Sequence, residues 1–101
     1  MSTERRASKR VQTNLHARWE GILARYDGTI TDLGVNGCFI LTTDNVRLQE
    51  LVRLELELPK KGWIYLWAEV VYVAPEMGFA LRFTGLSDAE EELLVDYIND
   101  L

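Results

Sequence analysis

Leu51-Val52-Arg53-Leu54-Glu55-Leu56-Glu57-Leu58 is a run in which every second residue is apolar. Successive side chains of an extended chain point to opposite faces, so Val52, Leu54, Leu56 and Leu58 share one face and Arg53, Glu55 and Glu57 the other. One face requires a core and the other requires water. Pro59 follows, has no N–H to give to a ladder, and ends the strand. The stretch 63–74 is rich in β-branched and aromatic residues, and 77–84 repeats that composition after Pro75-Glu76, which predicts a hairpin.

Working upstream, Leu15, Ala17 and Trp19 alternate with His16, Arg18 and Glu20, so a half-buried strand runs from Asn14 toward Leu23. Tyr26-Asp27-Gly28 has Asp-Gly turn chemistry and is expected to close the first hairpin. A short second strand over 28–33, a turn at Gly34-Val35-Asn36-Gly37 and a third strand over 38–42 follow. Past the last strand the period changes. Ser87 with Glu90 forms a capping box, acidic residues fill the first turn, and Leu94, Tyr97, Ile98 and Leu101 make one apolar helical stripe. The expected fold is mainly β: a six-stranded antiparallel β-barrel with a C-terminal α-helix, because closure removes the sheet edges that a small all-β chain cannot otherwise protect. The helix is expected to plug or flank one opening.

The chain has 101 residues, enough for one core. No apolar run approaches the roughly 20 residues that span a bilayer, and Met1-Ser2-Thr3-Glu4-Arg5-Arg6 lacks a secretory apolar segment, so no membrane insertion and a cytoplasmic location are expected. A lone Cys38 in an apolar strand pattern reads as a small core hydrophobe, and a lone His16 cannot build a metal site. Residues 1–10 hold Arg5, Arg6, Lys9 and Arg10 against Glu4, a net +3 within a chain of net -5. A cationic arm, taken as a flexible leader over 1–13, is thus attached to an acidic body over 14–101. That distribution argues against a long nucleic-acid polymer and for a compact anionic partner met by the arm.

Two segments carry chemistry. Arg6 and Arg10 form Arg-x-x-x-Arg, and guanidinium groups meet phosphate, or the O6/N7 edge of guanine, bidentately. The bland reading is a solvated charge cluster. Asp32-Leu33-Gly34-Val35-Asn36-Gly37 places two glycines that permit positive φ or close approach of a ligand beside a carboxylate that can accept from guanine N1 and N2. The bland reading is a tight turn whose Asp caps its own backbone. No nucleophile stands beside a base, no metal-ligand spacing occurs and there is no P-loop, so an enzyme is not expected.

Taken in order, these segments resemble the PilZ family, whose signature is Arg-x-x-x-Arg followed after a gap by Asp/Asn-x-Ser-x-x-Gly. Asn14-Leu15, the 52–59 strand, Glu69-Val70-Val71-Tyr72-Val73, Gly78-Phe79-Ala80-Leu81-Arg82-Phe83 and the Leu86-Ser87-Asp88 helix start resemble it as well. The resemblance implies a bacterial receptor for cyclic di-GMP, with no other cofactor. Arg6 and Arg10 would be the clamp, Asp32 the guanine-edge acceptor and Gly37 the close-approach glycine, with Gly34 and Asn36 completing the turn. Arg5 resembles a position associated with binding the ligand as a stacked pair. Tyr72 stands where family members place an aromatic that stacks on guanine; a barrel-core tyrosine is the other reading. One departure is plain: Gly34 replaces the motif serine. A neutral hydrogen bond contributes about 0.5–1.5 kcal/mol and a charged one about 1.5–3, so the clamp outweighs the missing hydroxyl.

The leading expectation is therefore an adaptor whose arm folds over the dinucleotide and presents a new surface to a protein partner of unknown identity. A second is a degenerate PilZ domain that binds only protein, which Gly34 favours and Arg6, Arg10 and Asp32 oppose. A third is an oligonucleotide-binding barrel that stacks bases on Trp19, Trp63 and Trp67, which the acidic neighbours of Trp63 and Trp67 oppose.

Overall fold

A computed structural model describes residues 9–21 and 25–100. Six antiparallel strands, β1 (Arg10–Glu20), β2 (Arg25–Gly34), β3 (Gly37–Leu41), β4 (Leu51–Leu58), β5 (Gly62–Ala74) and β6 (Gly78–Thr84), close into a barrel in the order β1-β2-β3-β6-β5-β4. The helix α1 (Asp88–Asn99) follows them. The alternation of β4 is realised as expected: Val52, Leu54, Leu56 and Leu58 lie in the core, each fully buried side chain contributing about 1.5–3 kcal/mol. Ring closure comes from a short seam in which Ala17–Glu20 of β1 pairs with Leu56–Arg53 of β4. Outside that seam Arg18 pairs with Glu55 at 2.9 Å and lies 4.0 Å from the centre of the Trp63 ring.

Three expectations are corrected. Tyr26, Asp27 and Gly28 are not a turn; they lie within β2, opposite Trp19, Arg18 and Ala17. Gly28 is required by packing: a Cβ there would sit 2.9 Å from the Trp19 ring and 2.8 Å from Ile40. Trp19 is itself core, stacked on Tyr26 and edge-on to Phe79, so it cannot serve as an exposed stacking platform. Finally, β1 begins at Arg10, so 10–13 of the expected flexible leader are strand. Val11 and Gln12 pair with Leu33 and Asp32 there, and β2 supplies the ladder partners that a local reading of polar residues could not foresee.

The capping box forms as expected. Glu90 N–H donates to Ser87 Oγ, and Ser87 N–H donates to the Glu90 carboxylate, both at 3.1 Å. Such a cap contributes about 0.5–2 kcal/mol. Leu94 and Ile98 enter the barrel core, with Tyr97 partly buried beside them; Leu101 lies outside the described residues. Among the described residues no helix is long and apolar enough to cross a membrane.

Candidate functional site

The first hairpin sets the site. β1 and β2 pair Gln12 with Asp32 and Arg10 with Gly34, which puts Arg10 one diagonal step from Asp32 on the outside of the barrel. The Arg10 side chain leans back over Gly34, and its Nε donates to Asp32 Oδ1 at 3.0 Å, with both side chains 44% exposed. The segments separated by 22 residues are therefore joined by direct contact. An exposed ion pair of this kind adds only about 0–1 kcal/mol to stability, so it positions two groups rather than holding the barrel together. Arg5 and Arg6 lie outside the described residues.

The glycines act differently from the turn expectation. Neither Gly34 nor Gly37 has a positive φ. Gly34 keeps room for the arginine: a Cβ there would lie 3.2 Å from Arg10 Nη1 and 3.1 Å from the Lys9 carbonyl oxygen. Gly37 keeps room for the barrel: a Cβ there would lie 2.1 Å from the Leu81 carbonyl oxygen on β6. The close approach that Gly37 permits is thus strand to strand. Asn36, exposed in the two-residue link between β2 and β3, uses its carbonyl to accept from Phe83 N–H at 2.9 Å and so ties the turn to β6.

Under this face lies Cys38, fully inward on β3 opposite Leu33. Burial pushes its thiol up to about 12, against a downward pull from Arg10 and with a further upward push from Asp32. A raised thiol value means that the unfolded chain ionises first. Its contribution to stability is complete below the ordinary 9.0 and is lost as pH rises from there toward about 12. The thermal midpoint of the wild type should accordingly fall more steeply across that alkaline window than that of Cys38→Ala. Parallel pH profiles for the two proteins would refute this.

Tyr72 is 59% exposed, which removes the core reading of its ring. The cause is a bulge: Val70 pairs with Leu81 and Tyr72 with Ala80, leaving Val71 extra and turning Tyr72 outward. Asp32, Phe39, Ala80 and Tyr72 form one cross-strand row over β2, β3, β6 and β5, so Tyr72 stands roughly 14 Å from Asp32. Phe39, half-buried directly beside Asp32, was missed in the sequence. The signal was available: a two-residue link at Val35-Asn36 pairs Leu33 with Cys38, and hence Asp32 with Phe39. Among the described residues no cluster of His, Cys, Asp and Glu could hold a metal.

A family model for the PilZ domain matches residues 4–100. No curated protein matches the chain. Among solved structures, the PilZ domain of YcgR from Escherichia coli with c-di-GMP superposes with a TM-score of 0.79 at 16% identity, covering 96% of this chain and 91% of that one. A longer YcgR from Escherichia coli in complex with c-di-GMP gives 0.81 at 16% identity, covering 95% of this chain and 45% of that one. The inhibitor of motility of Bacillus subtilis gives 0.77 at 17% identity, covering 92% and 49%. The chain thus spans about half the length of the last two. At such identities the shared property is the fold.

Proposed function

The chain belongs to the PilZ domain family, and from that membership we propose that it is a receptor for cyclic di-GMP that uses Arg10 and Asp32 as its described ligand-binding pair. The observation that carries this reading is the 3.0 Å contact between them, which sets a guanidinium and a carboxylate side by side on one outer face. That combination complements guanine, whose O6 and N7 accept and whose N1 and N2 donate. The YcgR domain solved with c-di-GMP has the same fold. Arg5 and Arg6, outside the described residues, are the further cationic ligands of this reading; Phe39 offers a ring beside Asp32 and Tyr72 an exposed ring at the far end of the same cross-strand row. Gly34, Asn36 and Gly37 shape the turn.

The protein works as an adaptor in a bacterial cytoplasm, not as an enzyme: ligand binding changes the surface shown to a protein partner. Calorimetric titration of cyclic di-GMP into the full chain tests this, with a dissociation constant of about 1 μM or tighter expected, roughly 8 kcal/mol. Absence of heat at high ligand concentration overturns it and leaves the degenerate, protein-binding domain, the reading that Gly34 in place of serine favours. The crowding of Gly34 by Arg10 makes a bare position 34 compatible with the clamp, because a serine Cβ there would press on the guanidinium.

A further inference from the structure

The Arg10–Asp32 pair has a counterpart on the same outer surface. Arg82 of β6 faces Gly37 of β3 on one side and Glu69 of β5 on the other, and its guanidinium donates to the Glu69 carboxylate. Arg82 is 59% exposed and Glu69 25% exposed. The Leu33–Cys38 pairing sets Gly37 next to Gly34, and Gly34 faces Arg10. One row across the barrel therefore reads Arg10, Gly34, Gly37, Arg82, Glu69. Two arginine–carboxylate pairs flank two positions that bear no side chain. The arginine Cα atoms are three strand spacings apart, roughly 14 Å; Arg10 leans over Gly34, whereas the Arg82 guanidinium is turned toward Glu69 at the far end of the row.

We infer that Arg82 and Glu69 form a second guanine-reading pair, so that the glycine-floored strip receives one cyclic di-GMP with a base at each end. This rests on the receptor reading above and goes beyond it. The ligand repeats one guanine twice, and the protein repeats one recognition unit twice. Each unit offers a forked donor for O6 and N7 and an acceptor for N1 and N2. Glu69 also holds Arg82 in place before the ligand arrives, as Asp32 holds Arg10. The bare strip explains why small residues suit both positions 34 and 37: a side chain at either would rise between the pairs or strike a neighbouring strand.

Cyclic GMP–AMP distinguishes this from general charge attraction, because it keeps the macrocycle and both phosphates and replaces one guanine with adenine. Adenine has a donor where guanine has O6, and lacks the N1–H and N2 donors. The full-length wild type, Arg82→Ala and Arg82→Lys are titrated with both ligands, and unliganded melting is recorded for each. The wild type should prefer cyclic di-GMP by roughly 5- to 150-fold, the worth of one bidentate base contact. Both variants should lose that preference and bind each ligand about as the wild type binds cyclic GMP–AMP; Arg82→Lys carries the test if the alanine variant does not fold. Wild-type affinity and preference in the folded variants overturn the inference while leaving the receptor reading intact. Equal weakening toward both ligands also overturns it, since Arg82 would then act through charge alone. A wild type that binds neither ligand removes the receptor reading and this inference together.

Discussion

Arg10→Ala is expected to weaken cyclic di-GMP binding by roughly 10- to 150-fold, the equivalent of about 1.5–3 kcal/mol for a charged hydrogen bond. The substitution removes the guanidinium beside Asp32 and leaves the β1 backbone able to pair with Gly34. It also leaves an exposed carboxylate that water can solvate. Because the lost ion pair is worth only about 0–1 kcal/mol to the fold, the unliganded melting temperature should move by no more than roughly 8 °C. Arg10→Lys should fall between the two proteins: an ammonium still attracts phosphate but cannot make the planar, two-pronged contact. Calorimetry and melting on the same samples separate binding from folding. An Arg10→Ala protein that binds as the wild type does would show that the Arg10–Asp32 contact is merely a surface ion pair.

Gly37→Ala should fail for a different reason, before any ligand is added. Its Cβ would meet the Leu81 carbonyl oxygen at 2.1 Å, and that oxygen belongs to the backbone, which cannot rotate away as a flexible side chain can. The strands β3 and β6 must separate locally, disturbing the pairing of Gly37 with Arg82 and the hydrogen bond from Phe83 to Asn36. Overpacking of this kind costs about 1–3 kcal/mol and can exceed that, a fall in melting temperature of roughly 4–24 °C. Gly34→Ala is the comparison. Its tightest contacts are 3.1–3.3 Å and two of the three are to the Arg10 side chain, so its melting should change less while its ligand affinity changes more. Wild-type melting in Gly37→Ala would contradict the steric account. The contrast also bears on interpretation: lost binding in a Gly37 variant does not by itself identify a ligand contact.

The parts of the molecule legible in the sequence are those governed by local chemistry. The period of two in β4 follows from the pleat of an extended chain, and Val52, Leu54, Leu56 and Leu58 accordingly face inward. The capping box at Ser87 and Glu90 needs only residues three apart, and it forms. The Arg10 and Asp32 segments were visible as motifs. Their contact was not, because it depends on which β1 residue faces which β2 residue.

Misreadings arose where a distant strand decided the matter. Asp27-Gly28 has the composition of a turn, yet it lies inside β2, paired with Arg18 and Ala17 of β1, where the bulk of Trp19 and Ile40 leaves no room for a Cβ at position 28. For Tyr72, which has even parity with Leu66, Ala68 and Val70, the sequence leaves the core and the exposed stacking position both open; the extra residue Val71 decides for the outside. The row from Arg10 through Gly34 and Gly37 to Arg82 and Glu69 draws on five strands and follows from their order and register. Alternation and capping are encoded within a few consecutive residues, so composition and spacing disclose strands, helix and barrel class. Register, bulges and the outer face they create minimise clashes and unpaired backbone groups between strands far apart in the chain. Only the order and register of the assembled strands place the candidate binding groups together.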